Sequence, residues 1–170
     1  MRFLKMYGII SLICVIGLAF FLPFKQAFVF TETRSDDPKF YYLKVEDERE
    51  FQVRYTHSIH KSDVIESYRI TKDVKIQLVS MAYEDLAIGM PGYAEEGQTF
   101  EVKDGMYKLS YDDKVIDSFT ILVANIEMDL IFQYKQRDYD LKKLLERSKA
   151  YEFKVKNISL YDQWKGVKFK

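Results

Sequence analysis

The chain has 170 residues, and its 26 Lys plus Arg are balanced by 26 Asp plus Glu, with 48% hydrophobic and 16% aromatic content. Zero net charge gives no electrostatic support to a nucleic-acid binder, and the apolar and aromatic share excludes a disordered chain. The one cysteine, Cys14, excludes an intrachain disulfide or a thiolate zinc site, and the length suits a single domain.

Arg2 and Lys5 precede an almost purely apolar run, Met6–Phe24. About 19 helical residues rise roughly 28 Å, close to the hydrocarbon thickness of a bilayer. The basic residues ahead of the run favour an N-terminus inside and the rest of the chain outside. A cleaved signal peptide needs a shorter apolar region and a small-x-small site, and Pro23–Phe28 offers none. Cys14 sits among apolar residues, a poor lipoprotein signal. The expectation is therefore an uncleaved signal anchor over residues 1–30, which places the protein in the cell membrane as a single-pass chain. Residues 31–39 are polar, contain Pro38 and read as a tether, so that an extracytoplasmic domain covers 40–170.

Phe40–Val45 reads as a short strand, followed by the charged turn Glu46–Glu50. Phe51–Tyr68 reads as two strands joined by a polar turn. Side chains alternate along a strand, so Phe51, Val53, Tyr55 and His57 share one face, and Val64, Glu66, Tyr68 and Ile70 share another. Each face is apolar but for one ionisable group, which sets His57 and Glu66 as expected partners in one core. Val74–Tyr83 alternates as a half-buried strand. Glu84–Gly97 is the least regular stretch; Gly89-Met90-Pro91-Gly92 within it predicts a sharp loop with an apolar tip, Gly89 being free to turn left-handed.

Gln98–Lys103 and Met106–Tyr111 flank Asp104-Gly105, a strong hairpin signal. Asp112-Asp113-Lys114 reads as a turn into Val115–Ala124, and Glu127–Tyr134 alternates again. Asp140 is a helix N-cap candidate, with Leu141, Leu144, Leu145 and Ser148 at helical spacing and Lys142, Lys143, Arg147 and Lys149 on a solvated outer face. Tyr151–Leu160 is a last strand, and a shift of its apolar phase at Asn157-Ile158 suggests a bulge. These elements predict a mainly β fold, a β-sandwich or partly closed barrel with one short helix, preceded by the transmembrane helix.

A carboxylate beside His57 would orient the ring and favour its protonated form, as in general acid-base catalysis or behind a metal-ligating imidazole. The same pair would serve equally as a buried contact that fixes strand register. His60, with Asp63 or Asp85, extends the cluster to a zinc option. Ser58 is no nucleophile for His57, because neighbouring strand residues point apart. Phosphate-loop, Gly-x-Ser-x-Gly and His-Glu-x-x-His motifs are missing from the sequence. Trp164, with Tyr161 nearby, reads as a cap on an apolar core edge. No catalytic residue, metal or cofactor is assigned on these grounds.

Tyr55-Thr56-His57-Ser58-Ile59, then Val64-x-Glu66-x-Tyr68, then Gly89-Met90-Pro91, resembles the domain-of-unknown-function 1850 family over about residues 45–160. In that family the loop commonly reads Gly-Ala-Gly-Leu-Pro, against Ala87-Ile88-Gly89-Met90-Pro91 here. Its members are small, exported or anchored, and often encoded beside TRAP transporters of the TAXI type. The resemblance implies a partner and a location, a solute-uptake system at the outer face of the membrane, and the expected role is a non-enzymatic accessory contacting a TRAP-type permease, the solute receptor or the solute. His57, Ser58, Glu66, Gly89, Met90 and Pro91 would form its binding surface. A small hydrolase or metal-dependent enzyme using His57 as base, and a structural envelope domain, are the alternatives.

Overall fold

A computed structural model describes residues 6–7, 17–86 and 89–170. Twelve strands form two sheets: β1 Lys25–Glu32, β2 Phe40–Lys44, β3 Glu50–Thr56, β4 Asp63–Ile70, β5 Ile76–Tyr83, β6 Gln98–Lys103, β7 Met106–Ile116, β8 Ser118–Val123, β9 Leu130–Tyr134, β10 Arg137–Asp140, β11 Lys149–Ile158 and β12 Val167–Lys168. Two short helices, α1 Leu141–Leu144 and α2 Leu160–Lys165, follow, and residues 17–21 ahead of β1 are helical. The first sheet runs β12-β2-β1-β11-β8 and the second β10-β9-β3-β4-β5-β7-β6. Each keeps two edges, so the structure is two packed sheets and not a barrel.

Aromatic rings from both sheets fill the space between them. Phe28 of β1 lies with its ring centroid 5.0 Å from Phe51 and 5.1 Å from Phe132, both on the second sheet. Phe153 of β11 touches Phe28, Phe30, Phe51, Phe119 and Phe132, and is fully buried. Offset and edge-on ring pairs of this kind add to the burial of their own area.

The domain starts earlier than the sequence suggests. Lys25–Glu32, divided there between anchor and tether, is β1, paired with β2 on one side and β11 on the other. Ala27, Phe28, Val29 and Phe30 are all fully buried, because β1 is covered on both faces. Such a strand reads as an unbroken apolar run, which is why it merges with the run before it. Residues 8–16 of the Met6–Phe24 run lie outside the described residues, and among the described residues no helix is long and apolar enough to cross a membrane.

Three polar or phase signals take different forms from those expected. Asp112-Asp113-Lys114 does not turn the chain: β7 continues to Ile116, with Leu78 opposite Lys114 and Ser80 opposite Ser110, so the extra residues form a bulge. Ile158 marks no bulge in β11, whose pairing with β1 is regular. Instead it faces the outer side of its sheet, where Ala27, Val29, Tyr42 and Ile158 make a second small core. Trp164 caps no core; it is 75% exposed on α2. Asp140 does cap α1, accepting from the Lys142 N–H at 3.0 Å, and the Asp104-Gly105 turn joins β6 to β7 with both residues at positive φ.

Candidate functional site

Tyr68 of β4 stacks on Phe119 of β8, centroids 5.2 Å apart, so β8, an edge strand, lies over β4. Beyond that edge the first sheet has no further strand among the described residues, whereas the second continues with β5, β7 and β6. The offset leaves a cleft along β8, between its side chains and those of β3, β4 and β9. A cavity of about 360 Å³ is lined by Val53, Tyr55, Glu66, Tyr68, Phe119, Thr120, Ile121, Leu122 and Leu130. A neighbouring one of about 270 Å³ shares Tyr55, Leu122 and Leu130 and adds His57, Ser58, Ile126, Met128 and Lys142.

Glu66 is the polar centre of the deeper part. The Tyr68 hydroxyl donates to Glu66 Oε2 at 2.7 Å. Burial pushes the Glu66 carboxyl above its usual range, against the pull of the Tyr68 and Tyr55 phenols and of the Lys114 ammonium. Burial next to this carboxyl also raises both phenols, Tyr55 and Tyr68, and to a lesser extent Tyr111. The result is a carboxyl and two protonated phenols on an otherwise apolar wall, a set able to donate and accept hydrogen bonds without a strongly exposed charge.

His57 is not the partner of Glu66. The β3–β4 register sets Val53 opposite Glu66, and Thr56 opposite Asp63 closes the ladder. His57 therefore stands four residues along from the position facing Glu66, about 13 Å of strand. Its backbone N–H bonds the Ser62 carbonyl at 2.8 Å, and Nδ1 accepts from the Ile59 N–H at 3.4 Å. His57 follows the end of β3 and lines the cleft mouth together with its neighbours Thr56 and Ser58. Strand alternation does not give the register, which the six-residue link 57–62 sets. Of the missed partners, Tyr68 was visible in the Glu66-x-Tyr68 spacing, which puts those two side chains on one face, whereas Tyr55 of the neighbouring strand depended on the register.

The glycine loop borders the same end of the sheets without entering this cleft. Gly89 has φ +92°, the left-handed region that favours glycine, and the Tyr83 hydroxyl donates to the Pro91 carbonyl. Gly89, Met90 and Pro91 wall a separate cavity of about 440 Å³ over Leu109, Tyr111 and Lys114. Ala87 lies outside the described residues. His60 Nδ1, in the 57–62 link, lies 3.9 Å from Asp85 at the start of this loop, beyond hydrogen-bond distance. The His57 and His60 rings are 5.9 Å apart, and among the described residues no three His, Cys, Asp or Glu side chains are arranged to hold a metal.

The model of a family described as a domain of unknown function (DUF1850) matches residues 51–141, just over half of the chain. That span is narrower than the 45–160 suggested by the motifs, yet it holds every cleft residue named above except Lys142. No curated protein matches the chain, and no solved structure does.

Proposed function

Because this chain belongs to the domain-of-unknown-function 1850 family, we propose that it is a non-enzymatic, membrane-anchored accessory of a TRAP-type solute uptake system, with its β domain outside the cytoplasmic membrane. The observation that carries the reading is the cleft along β8. Its apolar walls, Leu122, Leu130, Ile126 and Met128, end on Glu66 and two phenols. Such a groove suits a small solute, or a partner's side chain, with an apolar body and a hydrogen-bonding head. The apolar run Met6–Phe24 supports the anchor, and the resemblance supports the transporter.

The hydrolytic alternative loses its basis with the His57–Glu66 pair, because a base and its orienting carboxylate must be within hydrogen-bond reach. A cleft-filling variant tests the proposal. Leu122 lines both cavities and is 64% exposed, so Leu122→Trp should fold and block the groove. In cells lacking the native gene, the full chain should restore uptake and the variant, at equal membrane abundance, should not. Full restoration by the blocked variant would remove the cleft from the function.

A further inference from the structure

We propose that the face carrying α2 is a seat on the lipid headgroup layer, through which the β domain rests on the bilayer that holds its anchor. The proposal rests on the anchor reading above and adds a second, independent contact with lipid. Helix α2 is firmly built. Ser159 and Asp162 form a reciprocal capping box, and the Tyr42 hydroxyl donates to the Gln163 carbonyl at 3.2 Å. A helix held this way normally turns its apolar side chains inward. Here none of its residues is buried, Leu160 is 44% exposed and Trp164 75%.

These side chains continue an apolar surface that begins in the N-terminal segment. Tyr161 packs against Phe20 at 6.2 Å, Phe21 at 5.1 Å and Trp164 at 6.2 Å. Phe21, Leu22 and Phe24 are more than half exposed as well. The surface is thus continuous in space with the end of the Met6–Phe24 run, so a bilayer crossed by that run lies directly against it. Tyr and Trp, apolar rings with one polar atom, are the residues that settle at the boundary between acyl chains and headgroups.

The charges agree with lipid as the occupant. From Gln163 to Lys170 the chain has Lys165, Lys168 and Lys170 and no acidic residue. All three lysines are exposed, and the Lys165 ammonium lies 5.7 Å from the centre of the Tyr161 ring. Basic side chains beside interfacial aromatics suit anionic headgroups.

Trp164 is the sole tryptophan, so its fluorescence reports this face alone. The full chain would be reconstituted into vesicles of phosphatidylcholine with phosphatidylglycerol, some carrying bromine near the headgroup end of the acyl chains and others near the bilayer centre. Flotation with the vesicles checks the anchor by itself. The expected result is emission cut by about half by the shallow bromines and much less by the deep ones, as interfacial tryptophan requires. Lys165→Glu with Lys168→Glu should weaken that quenching while flotation persists. A floating chain whose Trp164 is quenched freely by acrylamide and not by bromine overturns the seat and leaves the anchor standing. Shielding from acrylamide without bromine quenching assigns the face to a protein partner or a second copy, and also overturns it. A chain that does not float removes anchor and seat together.

Discussion

The two sheets have different origins in the chain. The second sheet is built entirely from β3–β7, β9 and β10, all but its first residue inside the 51–141 family match, and its neighbours are mostly consecutive hairpins. The first sheet takes only β8 from that span. Its other strands come from the two ends of the chain, with Lys25 paired to Ile158 and Val167 to Tyr41. The hydrogen-bonding groups of the cleft, Tyr55, Glu66 and Tyr68, all belong to the second sheet, while α2 and the N-terminal aromatics lie against the first. One sheet carries the recognisable chemistry; the other closes the core and connects it to the N-terminal segment.

The largest effect should come from breaking the contact between the sheets. Phe153→Ala removes the ring on which five others converge, and about 3–5 kcal/mol of stability should go with it. Chemical denaturation of the full chain should show one transition at a lower midpoint; two separated transitions would mean that the sheets unfold independently.

Next comes Tyr68→Phe, which acts on the cleft alone. Losing the hydroxyl that serves a half-buried carboxyl should cost about 1.5–3 kcal/mol at neutral pH. The same carboxyl has a pH signature. Because its folded pKa is raised, the stability it contributes is fully present below its ordinary value of 4.5 and is lost as pH rises through the folded value. Melting temperatures across that window should therefore fall more steeply for the wild type than for Glu66→Gln, and parallel curves would show that burial does not act on Glu66. Glu146, held down to about 2 by Lys149 and Lys39, acts in the opposite sense: its contribution is present above 4.5 and fades toward pH 2 in both proteins.

Gly89→Ala should be smaller, about 1 kcal/mol, because a Cβ there has no atom within 4 Å and the cost is backbone strain alone. A neutral result would mean that the loop readily adopts another conformation. The smallest effect is a null coupling. His57→Phe and Glu66→Leu should add to within about 0.5 kcal/mol, since the side chains are set at different points of β3 and β4. A larger interaction energy would bring them back together.

The difference between the sheets also governs what could be read from the amino-acid order. Strand alternation with Asp104-Gly105 locates β6 and β7 because their pairing is local, and Asp140 locates α1 by its cap. β12 escaped because its partner β2 lies more than a hundred residues away and no turn announces it, and β1, though it pairs locally with β2, because its apolar sequence merges with the run before it. The partner of His57 depended on a register that a six-residue link leaves free. Trp164 was misplaced for a related reason: an aromatic residue near a strand end looks alike whether it covers a core or faces outward.

Strand β11 sets the distance between the two working ends. Its first residue, Lys149, pairs with Val123 beside the cleft mouth, and its last, Ile158, pairs with Lys25 where the N-terminal segment enters. Ten extended residues span about 33 Å. If the proposed anchor enters the bilayer at the Lys25 end, the cleft mouth would stand up to a strand's length from the lipid along β11. A solute would then reach that mouth from the aqueous phase rather than by lateral diffusion in the bilayer.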